Sequence, residues 1–256
     1  MPELTVAVED LLEGDLELHG RVMPASNATF VGTLGELTVV YKPISGERPL
    51  WDFPDGTLAS REVAAYAVSE MLGWHVVPPT VLRDGPHGPG MVQAWMEPDP
   101  DQVAVDIVRG HRLPEGFRHV FDGIDERDRP VSLVHEDTAA LRRMAVFDIL
   151  VNNADRKGGH VLPMSDGHRY GVDHGVSFHV ENKLRTVLWG WLGEPLAEEH
   201  LDGVARVLAQ VRDEALPALL DDDELDALER RCHRLLADPA MPAPLAHGPA
   251  IPWPPF

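Results

Sequence analysis

One cysteine, Cys232, stands in 256 residues, so no intramolecular disulfide can form and no CxxC metal knuckle exists. A reducing compartment, the cytoplasm, is the expectation. Basic residues are few: 22 Lys and Arg face 42 Asp and Glu, a formal net charge of −20. That field repels nucleic-acid phosphates and anionic lipid headgroups, which predicts no nucleic-acid partner. No run of about 18 apolar residues occurs, and the opening MPELTVAVEDLLEGDLELHG carries acids where a secretion signal needs basic residues. No integral membrane association is expected, and there is no internal repeat. The 44% hydrophobic and 25% charged residues are ordinary globular composition, enough for one large domain or two small lobes.

Turn and periodicity signals divide the chain. Val6 to Leu12 predicts a short acidic helix. Ala28 to Leu34 and Leu37 to Lys42 alternate around Gly35-Glu36 as a hairpin with Lys42 at its far end. Ser60 to Leu72 repeats apolar residues at helical spacing before Gly73 stops it. Pro79 to Arg83 and Met91 to Met96 predict two more strands, and Pro98 with Pro100 suggest a lobe boundary. Beyond it, Val103 to Arg109 is expected as a short helix and Phe117 to Val134 as a hairpin. Glu136 to Val151 is a helix whose apolar face leads into Asn152-Asn-Ala-Asp-Arg-Lys-Gly-Gly-His160. His160 to Pro163 and Arg169 to Val172 are short strands, followed at once by Asp173-His-Gly175. Pro195 to Val211 and Asp221 to Leu236 are amphipathic helices with acidic starts. Seven prolines follow Asp238, so residues 239–256 are expected as an extended tail that packs through Trp253 and Phe256 or stays loose, and could take a protein partner.

The densest polar cluster is Asp155 to His160 with Asp173 to Gly175. Two carboxylates at neighbouring strand ends can converge, one positioning a nucleophile and the other holding a divalent metal. Taken singly, each reads equally well as a turn residue beside glycine. Lys42 shifts the balance. It ends a strand and is followed, twenty positions on, by Glu62 among the apolar Val63, Ala64 and Ala65. A lysine that must reach phosphates inside a cleft needs an anionic partner, and a helix-borne glutamate is a known solution. Either charge alone is more ordinarily a solvated surface residue; the order of all four argues otherwise.

That order, strand lysine (Lys42), helix glutamate (Glu62), D-R-K-x-x-H (Asp155 to His160) and D-H-G (Asp173 to Gly175), resembles the phosphatidylinositol 3/4-kinase superfamily and its protein-kinase-like relatives. The similarity is closest to type II phosphatidylinositol 4-kinases and to actinobacterial kinase-like proteins. Lys42-Pro43, Arg61-Glu62-Val63-Ala64-Ala65-Tyr66 and Leu72-Gly73 through Val77-Pro78-Pro79-Thr80 match the amino-lobe pattern, and the resemblance spans roughly Ala25 to Phe178. It implies an α+β, two-lobed kinase-like fold: a β-rich amino-terminal lobe over residues 1–98, a larger, mainly helical carboxy-terminal lobe over 99–238, and the tail. It also implies ATP bound with Mg²⁺ or Mn²⁺. Lys42 would contact the α- and β-phosphates and pair with Glu62. Asp155 would orient an acceptor hydroxyl, Lys157 would steady the γ-phosphate, and Asp173 would chelate the metal. Met91, Val92, Gln93, Trp95 and Met96 would line adenine, although their composition suits sheet core as well.

Three departures mark this chain. His160 stands where relatives have an asparagine, which makes it a candidate metal ligand and favours a softer cation than Mg²⁺. The loop Pro24-Ala-Ser-Asn-Ala-Thr-Phe30 has no glycine, leaving backbone amides or the Ser26 and Thr29 hydroxyls to cradle phosphates. No polybasic run is present to meet an inositol-lipid surface. The sequence therefore points to a phosphotransferase acting on a hydroxyl of a soluble metabolite, protein or inositol-type acceptor. A nucleotide-binding pseudokinase and a metal-dependent hydrolase are the alternatives, and the latter gives Lys42 and Glu62 no task.

Overall fold

A computed structural model describes residues 6–22, 27–48, 50, 53, 57–110, 112–244 and 248–256. The chain is α+β. It opens with α1 (Val8–Leu12) and β1 (Leu16–Arg21), the latter unmarked in the sequence because Leu16, Leu18 and His19 sit among acids and glycine. The hairpin β2 (Phe30–Leu34) and β3 (Leu37–Pro43) follows, then α2 (Leu58–Leu72) and a second hairpin, β4 (Thr80–Gly85) and β5 (Gly88–Ala94). These strands form one antiparallel sheet in the order β1-β2-β3-β5-β4. The two middle strands, β3 and β5, are two hairpins' inner edges joined in register, with Lys42 opposite Met91 and Tyr41 opposite Val92.

Pairing dictates facing. Val39, Tyr41, Val81, Val92 and Ala94 share one face and bury a small core with Leu11 of α1, Leu16 and Leu34, while Lys42, Met91 and Gln93 occupy the other face. The acid-free start of α2 is stapled by Glu47, whose carboxylate accepts from the Leu58 and Ala59 amides at 3.2 and 2.8 Å. Gly73, at φ +67°, ends it in the left-handed conformation.

Val105–Arg109, expected as a helix, is the strand β6. Its β-branched Val105, Ile107 and Val108 suit a pleated surface, and it pairs with β8 (Pro130–Glu136), which also pairs with β7 (Phe117–Ile124). Next comes α3 (Ala139–Val151), capped by Thr138 Oγ1 accepting from the Leu141 amide at 3.3 Å. The two-strand ribbon β9 (Val161–Pro163) and β10 (Arg169–Gly171) precedes α4 (Glu198–Gln210) and α5 (Asp222–Ala237). A reciprocal cap between Asp221 and Glu224 starts α5. The larger core joins α3, α4 and α5 to Ala64, Ala65, Val68 and Leu72 of α2, so α2 is buried on more than one side. Among the described residues no helix is long and apolar enough to cross a membrane.

Candidate active site

Lys42 leaves the sheet face toward α2. Its Nζ lies 2.6 Å from Glu62 Oε1 and 2.7 Å from Asp173 Oδ1. Glu62 is 2% exposed, and a carboxylate so placed needs every acceptor satisfied. Its second oxygen takes the His174 amide at 2.8 Å. One glutamate thus joins the strand lysine to the Asp173 turn. Burial alone would depress the Lys42 ammonium, but the carboxylates of Asp173 and Glu62 outweigh it and raise it above its ordinary value. Reciprocally, Lys42 holds the Asp173 carboxyl well below the usual range against the opposing effect of burial. Asp173 sits at φ +64° with 52% of its side chain exposed, open to a ligand.

The second loop is built from the end of α3. Asn152, at φ +55°, stops the helix and donates through Nδ2 to the His179 and Glu181 carbonyls. Asn153 Oδ1 accepts from the Asp155 amide at 2.9 Å, and its Nδ2 donates to Asp148 Oδ1 at 3.0 Å. Arg156 turns inward. It is fully buried, forks onto Asp148 with Nη2–Oδ1 at 2.8 Å and Nε–Oδ2 at 2.9 Å, and donates Nη1 to the carbonyls of both His160 and Val172 at 3.2 Å. One guanidinium therefore ties α3 to the loops that precede Asp173 and carry Asp155.

Arg156 Nη2 also lies 2.7 Å from His174 Nε2. Guanidinium only donates, so Nε2 accepts and His174 is the neutral Nδ1–H tautomer. Burial, then Arg156, push its proton affinity down, in agreement. That Nδ1 has no hydrogen-bond partner among the described residues, Glu62 Oε2 being 3.9 Å away. The His174 ring packs edge-on against Phe147, 5.3 Å between centroids.

The exposed side of the loop carries the remaining groups. Lys157 Nζ is 3.2 Å from Asp155 Oδ2. Burial raises the Asp155 carboxyl, with Lys157 and His160 opposing. His160 Nδ1 donates to the Asp155 carbonyl at 2.9 Å, which turns Nε2 toward Asp173 Oδ2 at 3.4 Å. Burial lowers the His160 pKa, and a neutral ring in this tautomer sets a lone pair against a carboxylate. A cation between them relieves that opposition, so the donor set fits a divalent metal. Among the described residues no group of three His, Cys, Asp or Glu converges on one metal position; Asp173 and His160 would hold such an ion with phosphate oxygens completing its shell.

The residues expected beside adenine divide. Met91 and Gln93 share the Lys42 face, whereas Val92 turns with Tyr41 into the small core. The Gln93 amide is spent on Thr80 Oγ1 at 2.9 Å. Trp95 is 42% exposed and donates Nε1 to Glu97 at 2.8 Å, and Met96 packs on the small core. Ser26 lies outside the described residues.

Two features went unread in the sequence, and a third was left open between packed and loose. The first is the Asp148–Arg156 pair, signalled only by a lone acid on an otherwise apolar helix face. The second is the buried Arg169–Glu136 fork at 2.7 and 3.0 Å, joining β10 to β8. The third is the end of the tail. The Gly158 amide donates to the Pro255 carbonyl at 2.8 Å, and a Cβ on Gly158 would overlap the Phe256 ring. Upstream, the Ala250 carbonyl accepts from the Thr186 amide at 3.1 Å and Trp189 Nε1 at 2.9 Å. Phe256 lies against Gly158 with about half of its surface exposed, and Trp253 is 82% exposed.

No family model matches the sequence. Protein Rv2133c of Mycobacterium tuberculosis is 52% identical over 262 aligned residues, covering 96% of this chain and 94% of that protein. The chain belongs to the Rv2133c family. Among solved structures, the Helicobacter pylori proinflammatory kinase CtkA aligns over 90% of this chain and 94% of its own with a TM-score of 0.46 and 11% identity. A likeness at that level carries no argument about chemistry.

Proposed function

We propose that this chain is an ATP-dependent phosphotransferase of the cytoplasm, acting on a hydroxyl of a soluble metabolite, protein or inositol-type acceptor. The observation that carries the reading is Lys42 Nζ held between buried Glu62 and half-open Asp173, at 2.6 and 2.7 Å. Glu62 fixes the ammonium where it can meet α- and β-phosphates, and Asp173 stands beside it to hold the accompanying cation with His160. When bound, Mg²⁺ or Mn²⁺ neutralises phosphate charge and draws electrons from the γ-phosphorus. Asp155, made more basic by burial, orients the acceptor hydroxyl and takes its proton. The acceptor oxygen bonds to the γ-phosphorus as the β–γ bridging oxygen leaves with its electron pair on ADP. Lys157, 3.2 Å from Asp155, steadies the γ-phosphoryl group. Two lobes, with Met91 and Gln93 on the nucleotide side, complete the proposal, and a protein partner of the tail would meet Trp253.

A second reading, nucleotide binding without turnover, draws support from His160 in the place of an asparagine. Calorimetric titration of a non-hydrolysable ATP analogue with Mg²⁺, Mn²⁺ or chelator tests both. Metal-dependent binding weakened about tenfold or more by Asp173→Asn is expected, and phosphate transfer abolished in folded Asp155→Ala separates the enzyme from the binding module. No binding under any condition rejects both.

A further inference from the structure

Away from Lys42 and Asp173, α5 sets Ala227, Arg230, Arg231 and Arg234 along one face, spaced three, four and seven positions apart. With Val180 and Asn182 these residues line a cavity of about 200 Å³. Three acids of α5 have arginine partners outside that helix. Glu224 pairs with Arg61, and Asp226 and Glu229 pair with Arg212. Arg230 and Arg234 have no ion-pair partner among the described residues. Arg231 is 8% exposed. Its Nε donates to the Leu150 carbonyl at 2.6 Å and its Nη1 to the His179 carbonyl at 3.3 Å, but its buried Nη2 has no acceptor among the described residues. Asn182 spends its Oδ1 on the Leu184 amide at 3.2 Å, leaving its Nδ2 to donate.

We propose that this cavity binds a phosphoryl dianion, free or carried as the monoester of a small molecule, through Arg230, Arg231, Arg234 and the Asn182 amide. Guanidinium donors form a rigid fork matched to phosphate oxygens, and the small Ala227 side chain leaves space on the helix between them. In a chain of net charge −20, three arginines are drawn together near Glu224, a carboxylate already paired with Arg61, and leave an excess of positive charge against the general field. The cluster is electrostatically unfinished: burial, then Arg234 and Arg230, push the Arg231 pKa down to about 10. An anion supplies the acceptor that Nη2 lacks and removes the repulsion among the three. The site is independent of the nucleotide reading, because none of its residues touches Lys42, Glu62, Asp155 or Asp173.

The test titrates inorganic phosphate, and separately glycerol 1-phosphate, into the full chain, into Lys42→Met and into the Arg230→Ala/Arg234→Ala double variant, with circular dichroism to verify folding. The double variant changes only exposed positions. Saturable phosphate binding is expected in the full chain, retained in Lys42→Met and weakened about tenfold or more in the double variant. Tighter binding of the ester identifies a phosphorylated metabolite as the ligand; equal or weaker binding identifies free phosphate. Absence of saturation, loss in Lys42→Met, or equal affinity in the double variant overturns the proposal. Failure of ATP binding alone leaves these outcomes unaffected.

Discussion

Arg156 and Asp148 form an ion pair with no exposed side-chain surface on either partner, 2.8 Å apart, whereas Asp155, Lys157 and His160 of the same loop keep part of their side chains exposed. Neither residue has a hydrogen bond or ion pair to Asp173 among the described residues. Their work is to fix the loops beside it, since the same guanidinium holds the His160 and Val172 carbonyls and the His174 ring.

Removing one partner strands the other charge in the core. Arg156→Met should lower unfolding free energy by about 3–5 kcal/mol, read from urea denaturation. Asp148→Leu/Arg156→Met should recover part of that loss, because the double variant leaves no unpaired ion.

Lys42→Met leaves buried Glu62 with only the His174 amide. A loss of about 1–3 kcal/mol is expected, smaller than for Arg156 because Lys42 keeps 22% of its side chain exposed. Pairing the change with Glu62→Gln should restore much of it. Carboxylate-detected NMR should show the Asp173 carboxyl rising toward its ordinary value in Lys42→Met, since Lys42 is the principal cause of its depression.

Acid should destabilise the fold before the carboxylates titrate. Burial pushes His135 down to about 4 from 6.5, and its Nε2 accepts from the Gly190 amide at 3.0 Å while Nδ1 donates to the Glu136 carbonyl at 2.8 Å. Between those two values the unfolded chain binds the extra proton, so stability is full above pH about 6.5 and falls as pH drops toward about 4, by roughly 3 kcal/mol for this residue. His174 and His200, both depressed by burial first, add to the same slope. Urea midpoints measured across that window should fall with pH, and His135→Gln should flatten the dependence.

Gly158→Ala should unseat the tail, because the added methyl overlaps the Phe256 ring. Hydrogen exchange at the residue 158 amide, whose acceptor is the Pro255 carbonyl, should accelerate by about tenfold or more in this variant and in Phe256→Ala. Unchanged exchange would mean that the tail does not protect the loop.

Much of this was legible along the chain. Alternation and turn chemistry gave both hairpins of the five-stranded sheet, and the helical spacing of Val68 and Leu72 with Gly73 gave α2. The pairing of Lys42 with Glu62 was what the motif order and the family resemblance implied, and the structure brings the two within 2.6 Å of each other with Asp173 beside them. The Val105–Arg109 strand was missed because a five-residue segment reading Val-Asp-Ile-Val-Arg is too short for periodicity to decide between helix and strand; β8, far along the sequence, decides it. Asp148 was hidden for a related reason: its helix face predicts burial but not which cation will arrive. The orientation of Val92 became clear only once register with Tyr41 was known, since a one-residue slip reverses every side chain.

The seat of Pro255 and Phe256 against Gly158 also has a meaning in time. Synthesis delivers Gly158 long before its acceptor, and at roughly 5–20 residues per second the interval is ~5–20 s. During it the peptide amide at the centre of the Asp155–His160 segment is available to water and to chaperones alike, so the nascent chain carries this loop in an unlatched form that the last proline-rich residues then close.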